Sequence, residues 1–286
     1  MLRLLFLFVL LANYATAQVQ KNALLWEVKS KDGKMTSYVY GTMHLMDAKL
    51  FYFPKKLEKL LLKSEVLCME IANLNDPDLS PDAFFLKNDE TLADYFSVAQ
   101  MDSIYRWAEK ALLMNKEQFN TNFSKAKPFL LLQFLLQSSL PENAKSYEKE
   151  FENLAKNDKK TIEGLESVTE QLELFTSLSK KEQAEMVMSS LRDEAEAKSS
   201  FQEMQKIYLT QNIDDLYTFM KKEIDSPINR SRAFLEDRNQ KWIPQMEKMM
   251  ESKSVFFAVG AAHLAGPEGV IELLIKKGFM LTPIKL

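Results

Sequence analysis

The chain has 286 residues, 46% apolar and 27% charged, with only 7 Gly and 9 Pro. That composition excludes disorder, collagen-like repeats and low complexity, and it supplies enough apolar side chains to bury a core. Lys and Arg together number 37 against 40 Asp and Glu, a net charge of −3. No long basic stripe appears, so the electrostatic footprint of a nucleic-acid binder is missing.

The chain opens with a short positive stretch, Met1-Leu2-Arg3, then the apolar run Leu4 to Ala12, then Ala15-Thr16-Ala17. This is the layout of a secretory signal peptide over 1–17, with the mature chain expected to begin at Gln18. The apolar run is too short for a bilayer core of about 30 Å, which needs roughly 20 apolar residues. The expectation is an exported protein, periplasmic or secreted, with no stable membrane insertion. Leu24 to Val28 and Ser37 to Tyr40 flank the turn Lys31-Asp32-Gly33-Lys34 and read as a β-hairpin. Phe53-Pro54-Lys55 opens a helix with Leu57, Leu60, Leu61 and Leu62, and Val66 to Ile71 reads as the next strand. Cys68 inside that strand is the single cysteine, so an intramolecular disulfide is excluded and a buried structural thiol is expected.

From Asp78 to about Lys253 helical patterns take over: Leu92 to Asn115, Pro128 to Leu140, Ser167 to Phe175, Lys180 to Ile207 and Asn212 to Lys222. The Phe and Met side chains of this stretch, Phe84, Phe85, Phe129 and Phe134 among them, read as core, with a substrate groove as the alternative. Two three-residue sequons, at Asn122 and Asn229, carry little weight. Ser254 to Val259 is a continuous apolar run of the kind found in a buried strand. A helix over Glu268 to Lys277 follows, with Pro267 before it and Gly278 after it, and Phe279 to Ile284 can form a last strand. The two ends should therefore share one sheet. The fold class expected is α/β (α+β), a mixed β-sheet formed from N- and C-terminal segments with a large helical insertion. In domain terms, 18–286 reads as one unit, with 18–77 and 254–286 as the sheet core and 78–253 as the insertion.

Both histidines of the chain stand three residues after a glycine at the end of an expected strand: Gly41-Thr42-Met43-His44 and Gly260-Ala261-Ala262-His263. Glycine there permits either a positive-φ turn or a close backbone approach, and either would aim the histidine into the crevice at the strand's carboxyl end. Imidazole is both the commonest transition-metal ligand and a base or acid near neutral pH. Glu70 ends its strand where a carboxylate is costly to bury unless paired or coordinated. His44, Glu70 and His263 together make a standard ligand set for catalytic Zn, Mn, Fe or Co. Glu70 can equally be a general base, or one half of a buried ion pair. No G-x-S-x-G, G-x-G-x-x-G, Walker loop, H-E-x-x-H or C-x-x-C motif is present.

These residues resemble the TraB/GumN family, whose animal relatives are the Tiki proteins, membrane-anchored metalloproteases acting on Wnt proteins. Leu25 to Val28 with Tyr38 to Leu45 resembles the family's first Gly-x-x-His block, and Val259 to His263 resembles its second. Glu70 falls at the family's acidic strand residue, Gly164-Leu165-Glu166 with Gln171 resembles its Gly-Leu-Glu segment, and Arg238-Asn239 with Trp242 resembles its Arg-Asn segment. The resemblance implies one α/β unit with an active site assembled from His44, Glu70, Arg238 and His263. It implies a divalent metal, Mn or Co by analogy with the Tiki branch and Zn as a further option, acting on a peptide or a small ester or amide. In that reading Arg238 stabilises an oxyanion or clamps a substrate carboxylate, with a surface or helix-capping arginine as the alternative, and Glu166 is an orienter or an N-terminal helix charge. The wider clan includes erythromycin esterases and haem-binding lipoproteins, so two alternatives stand beside the metal-dependent hydrolase. One is a non-catalytic haem- or metal-binding exported protein, the other a metal-free, esterase-like hydrolase with histidine as base.

Overall fold

The computed structural model describes residues 22–72, 81–138, 140–141, 143–192, 194–228 and 230–286. The expected signal peptide, 1–17, and the sequon residue Asn229 lie outside the described residues. Six strands form one mixed sheet: β1 (Leu25–Lys29), β2 (Thr36–Thr42), β3 (Val66–Met69), β4 (Thr161–Gly164), β5 (Val255–Gly260) and β6 (Met280–Ile284). Their order is β4-β3-β5-β2-β1-β6. The first four are mutually parallel, β1 runs antiparallel to β2, and β6 pairs antiparallel with β1. The two ends of the chain thus share the sheet, as the strand patterns require.

The helices are α1 (Lys55–Lys63), α2 (Val98–Ala111), α3 (Lys116–Phe123), α4 (Pro128–Ser138), α5 (Tyr147–Asn157) and α6 (Val168–Thr176). They continue with α7 (Lys180–Arg192), α8 (Glu194–Leu209), α9 (Ile213–Ile228), the single turn α10 (Ser231–Phe234), α11 (Glu236–Met250) and α12 (Val270–Lys276). The architecture is mixed α/β.

Sequence explains where each strand sits. β3 (Val-Leu-Cys-Met) and all of β5 before its terminal glycine are buried, the mark of parallel strands covered on both faces. β6 carries Pro283, which cannot donate to a ladder and suits an edge. Tyr40, Phe151 of α5 and Phe256 pack ring to ring, with centroids 5.7 and 5.0 Å apart, and tie α5 to the centre of the sheet. Trp242, Met246 and Met250 of α11 and Val270 and Leu274 of α12 belong to the same core. Ile104, Phe119, Leu131 and Val187, from α2, α3, α4 and α7, form a second and separate core inside the insertion. Phe129 and Phe134 pack there against Phe175 and Phe123, so they serve packing rather than a groove against the sheet.

Three features depart from the sequence expectations. The insertion is not wholly helical: Thr161–Gly164 adds β4 to the sheet, a strand too short and too exposed for an alternation signal. The helix expected over Leu92 to Asn115 divides into a 3-10 turn at Leu92–Tyr95 and α2. Ser97 caps α2 by accepting from Gln100 N–H while Gln100 reaches back to the Ser97 N–H, a reciprocal capping box that fixes a helix start. Finally, α3, α5 and α11 have no counterpart in the sequence reading, and Pro244 inside α11 masks its helical pattern.

Candidate functional site

Four parallel strands end side by side, and each delivers a polar residue just beyond its carboxyl end. His44 follows β2, Glu70 follows β3, Glu166 follows β4, and His263 closes the 3-10 turn Ala261–His263 after β5. Crevices at the carboxyl ends of parallel strands are where open α/β sheets bind ligands. The first turn of α11 adds Arg238 and Asn239.

The two motif glycines do different work, and neither takes positive φ. A Cβ on Gly41 would lie 2.7 Å from Leu264 Cδ1 and 2.9 Å from Ala261 Cα, so only glycine lets the turn that carries His263 cross β2. A Cβ on Gly260 would instead enter the crevice, 3.1 Å from Glu70 Oε1, 3.5 Å from His263 Cδ2 and 3.7 Å from His44 Nε2. The missing side chain leaves a small space on which all three groups converge. Close approach, not a left-handed turn, is what the Gly-x-x-His spacing provides.

Arg238 is the hub of the buried part of the site, its side chain 11% exposed and those of Glu70 and Glu166 each 8%. Its Nη2 donates to Glu70 Oε2 and to Glu166 Oε1, its Nε donates to Glu166 Oε2 at 3.2 Å, and its Nη1 contacts His263 Nε2 at 3.0 Å. Gln171 Nε2 donates to both carboxylates, at 3.2 Å to Glu70 and 2.6 Å to Glu166, and Trp242 Nε1 donates to Glu166 Oε2. Glu70 Oε1 accepts the Gly260 N–H at 2.8 Å. His263 Nδ1 meets Asn239 Oδ1 at 2.7 Å, and Asn239 Nδ2 is used up on the carbonyls of His263 and Glu268. The amide oxygen must therefore accept, so His263 carries its proton on Nδ1 and offers a lone pair at Nε2 to Arg238.

His44 is held differently. Its side chain keeps 66% of its surface in water, and its Nδ1 donates at 2.9 Å to Glu148 Oε1, on the first turn of α5. The same oxygen accepts from Thr42 Oγ1, and Glu148 Oε2 accepts from Ser146 Oγ. This leaves His44 Nε2 turned toward the space over Gly260.

The charge states follow. Burial would raise Glu70, but His263, Arg238, His44 and the Gly260 N–H hold its pKa down to about 2, and Arg238 is the partner that stays charged at neutral pH. Burial first, then Arg238 and His44, push His263 down to about 3, against the pull of Glu70, so the ring is neutral. For His44, desolvation opposes the charge, but Glu148, through its charge and its hydrogen bond, and then Glu70 outweigh it and raise the pKa above the ordinary 6.5. The exposure of the ring damps the size of that shift, not its sign. Cys68, fully buried in β3, has its thiol pushed up by burial and then by Glu163, as suits an inert structural residue.

All four expected site residues, His44, Glu70, Arg238 and His263, thus meet in one crevice, with Glu166 as the brace of Arg238. Among the described residues, no three His, Cys, Asp or Glu side chains form a ready-made ligand cluster. The donor set over Gly260 nevertheless suits a divalent ion. His44 Nε2 and Glu70 Oε1 face the space, the outer nitrogens of both histidines are fixed by Glu148 and Asn239, and the acids Glu70, Glu148 and Glu166 outnumber the one guanidinium. His263 Nε2 can join only when Arg238 Nη1 leaves it.

Sequence reasoning missed the roles of Glu148 and Asn239. Asn239 adjoins Arg238 and its role was within reach, whereas nothing in the chain separates Glu148 from other first-turn acids such as Glu182. No curated protein and no solved structure matches the chain. A family model does: the one described as TraB/PrgY/gumN matches residues 24–283, from the first strand to the last, and takes in every residue of the crevice. The chain belongs to the TraB/PrgY/gumN family.

Proposed function

We propose that this chain is an exported hydrolase that cleaves an amide or ester bond, peptide-like by preference, with a divalent ion held by His44, Glu70 and His263. The single observation that carries the reading is the space over Gly260, on which His44 Nε2, Glu70 Oε1 and the His263 ring converge. When bound, the ion would polarise the substrate carbonyl and lower the pKa of its water toward 7. The chain's own groups supply the rest. Glu148 and Asn239 each hold a proton on Nδ1 of their imidazole, which makes Nε2 the ligand atom, and Glu70 accepts a proton from the attacking water or completes the ligand set. Arg238, already in the crevice, faces the oxyanion as the carbonyl becomes tetrahedral. Water's oxygen joins the carbonyl carbon, the C–N or C–O bond breaks, and the leaving nitrogen or oxygen takes the proton.

A second reading is favoured by one observation, the Glu148–His44 pair. Because Glu148 favours the protonated form of His44, this histidine is suited, without a metal, to protonate the leaving group while ionised Glu70 takes the proton of water. It comes as an acid rather than as the base expected from sequence. Haem capture fits less well, since the crevice is lined by Glu70, Glu166 and Arg238 rather than by an apolar cleft.

The test is calorimetric titration of the purified, chelator-stripped protein with Mn, Co and Zn, beside a folded His44→Ala/His263→Ala double variant. One-site binding lost in the variant supports the metal reading and directs a peptide and ester screen. Hydrolysis that survives chelator and is lost in His44→Ala moves the assignment to the second reading.

A further inference from the structure

We infer that Arg238 is the resident cation of the crevice, competing with a divalent ion for Glu70 and His263, and that Glu166 is the carboxylate onto which its guanidinium retires. The inference rests on the metal reading above. Arg238 holds one atom an ion would need, His263 Nε2, met by Nη1 at 3.0 Å, and its Nη2 draws on the charge of the same Glu70 carboxylate through Oε2 while Oε1 faces the space over Gly260. Asn239 fixes the proton of His263 on Nδ1, so the ring has a single lone pair, and guanidinium and ion cannot both use it.

The remaining contacts form an anchor that needs neither group. Nε and Nη2 meet the two oxygens of Glu166 as a fork, the strongest arrangement open to an arginine and a carboxylate. Glu166 is itself held by Gln171 Nε2 and Trp242 Nε1, and its backbone N–H bonds to the Glu70 carbonyl, so it stays in place while Arg238 turns. A pivot about this fork carries Nη1 off His263 Nε2 while Nε and Nη2 stay paired, so the buried guanidinium keeps its carboxylate. Without it, the departing charge would have no partner. Glu166 is therefore a positioning residue that acts on the ion only through Arg238.

The test is the dissociation constant of Mn²⁺, by calorimetry on chelator-stripped full-length protein, for wild type, Arg238→Gln, Glu166→Gln and the double variant, each checked for folding by circular dichroism and a thermal melt. Arg238→Gln should bind on the order of tenfold tighter, because the competitor is gone, and Glu166→Gln on the order of tenfold weaker, because the guanidinium then presses on Glu70 and His263. The double variant should match Arg238→Gln. A double variant as weak as Glu166→Gln would mean that Glu166 attracts the ion directly, and would overturn its assigned role. Equal affinities for wild type and Arg238→Gln would overturn the competition and leave the metal site standing. No Mn²⁺ binding by either would sink the metal reading and the competition with it. Should Arg238→Gln not fold, Arg238→Lys, which cannot fork Glu166 and still reach His263, should bind more tightly than wild type, and unchanged affinity would be the contrary result.

Discussion

The two Gly-x-x-His segments are alike in sequence and opposite in surroundings. After β5, His263 is 4% exposed, its Nδ1 proton accepted by Asn239 and its Nε2 facing Arg238, and it is held neutral. After β2, His44 stands in water with Glu148 behind it, and it is inclined to keep a second proton. The motif sets only the aim of each ring, and the helices that arrive from the insertion set its charge. α11 brings a guanidinium and an amide to one ring, and α5 brings a carboxylate to the other.

The hardest blow to this contrast falls on the buried side. Arg238→Met leaves Glu70 and Glu166 buried without their counter-charge, which should cost about 3–5 kcal/mol of stability in urea unfolding. Domains of ordinary stability, about 5–15 kcal/mol, survive such a loss. A variant as stable as wild type would show that water, not Arg238, compensates the two acids.

The pH dependence of stability should separate the two rings next. In chelated protein His263 stays neutral down to about 3, while in the unfolded chain it takes up its proton near 6.5. Stability should therefore fall as pH drops below 6.5, by about 1.4 kcal/mol per pH unit from this group. Glu70, depressed from 4.5 to about 2, adds to the loss from pH 4.5 downward, because its stabilising charge is fully present only above its unfolded value. His44 has the opposite sign: its raised pKa stabilises fully below 6.5, and that part fades as pH rises through the folded value. His263→Gln should flatten the slope between pH 6.5 and 4.5. A slope unchanged in that variant would place its origin elsewhere.

The glycines sharpen the comparison further. Gly41→Ala drives a methyl against Ala261 Cα and Leu264, and should cost about 1–3 kcal/mol. Gly260→Ala is tight only against Glu70 Oε1, at 3.1 Å, and should cost under about 1 kcal/mol while abolishing Mn²⁺ binding in calorimetry. Equal effects on stability would mean that the two glycines share one role after all.

The sheet and its crevice were legible because their signals are local. β5 is a continuous apolar run, the hairpin has its turn residues between two short β-like runs, and a glycine three residues before each histidine marks a strand end. What brings partners to those residues is not local. β4 shows too few residues for a period, α11 hides behind Pro244, and Glu148 is one first-turn acid among several, chosen only because α5 packs Tyr147 and Phe151 under β2. Residues that do chemistry at strand ends can be found by pattern. The residues that set their charge are delivered by tertiary packing and leave no spacing to read.

The smallest effect tests that last point. Glu148→Gln keeps an oxygen for the His44 Nδ1 proton and for Thr42 Oγ1 but removes the charge, at a half-exposed pair where ion pairs contribute about 0–1 kcal/mol. The melting curve should scarcely move. The His44 ring, followed by NMR through a pH titration, should return toward 6.5, because its strongest opposing charge is gone. His263, held neutral by its burial and with only Glu70, Arg238 and His44 as charged neighbours of consequence, should keep its neutral signature through the same range. A shift in both rings would mean that the two histidines titrate as one unit, and the division of labour between the two segments would fall. A shift in neither would mean that the exposure of His44 already screens Glu148, leaving α5 a scaffold for the loop after β2 rather than the source of its charge.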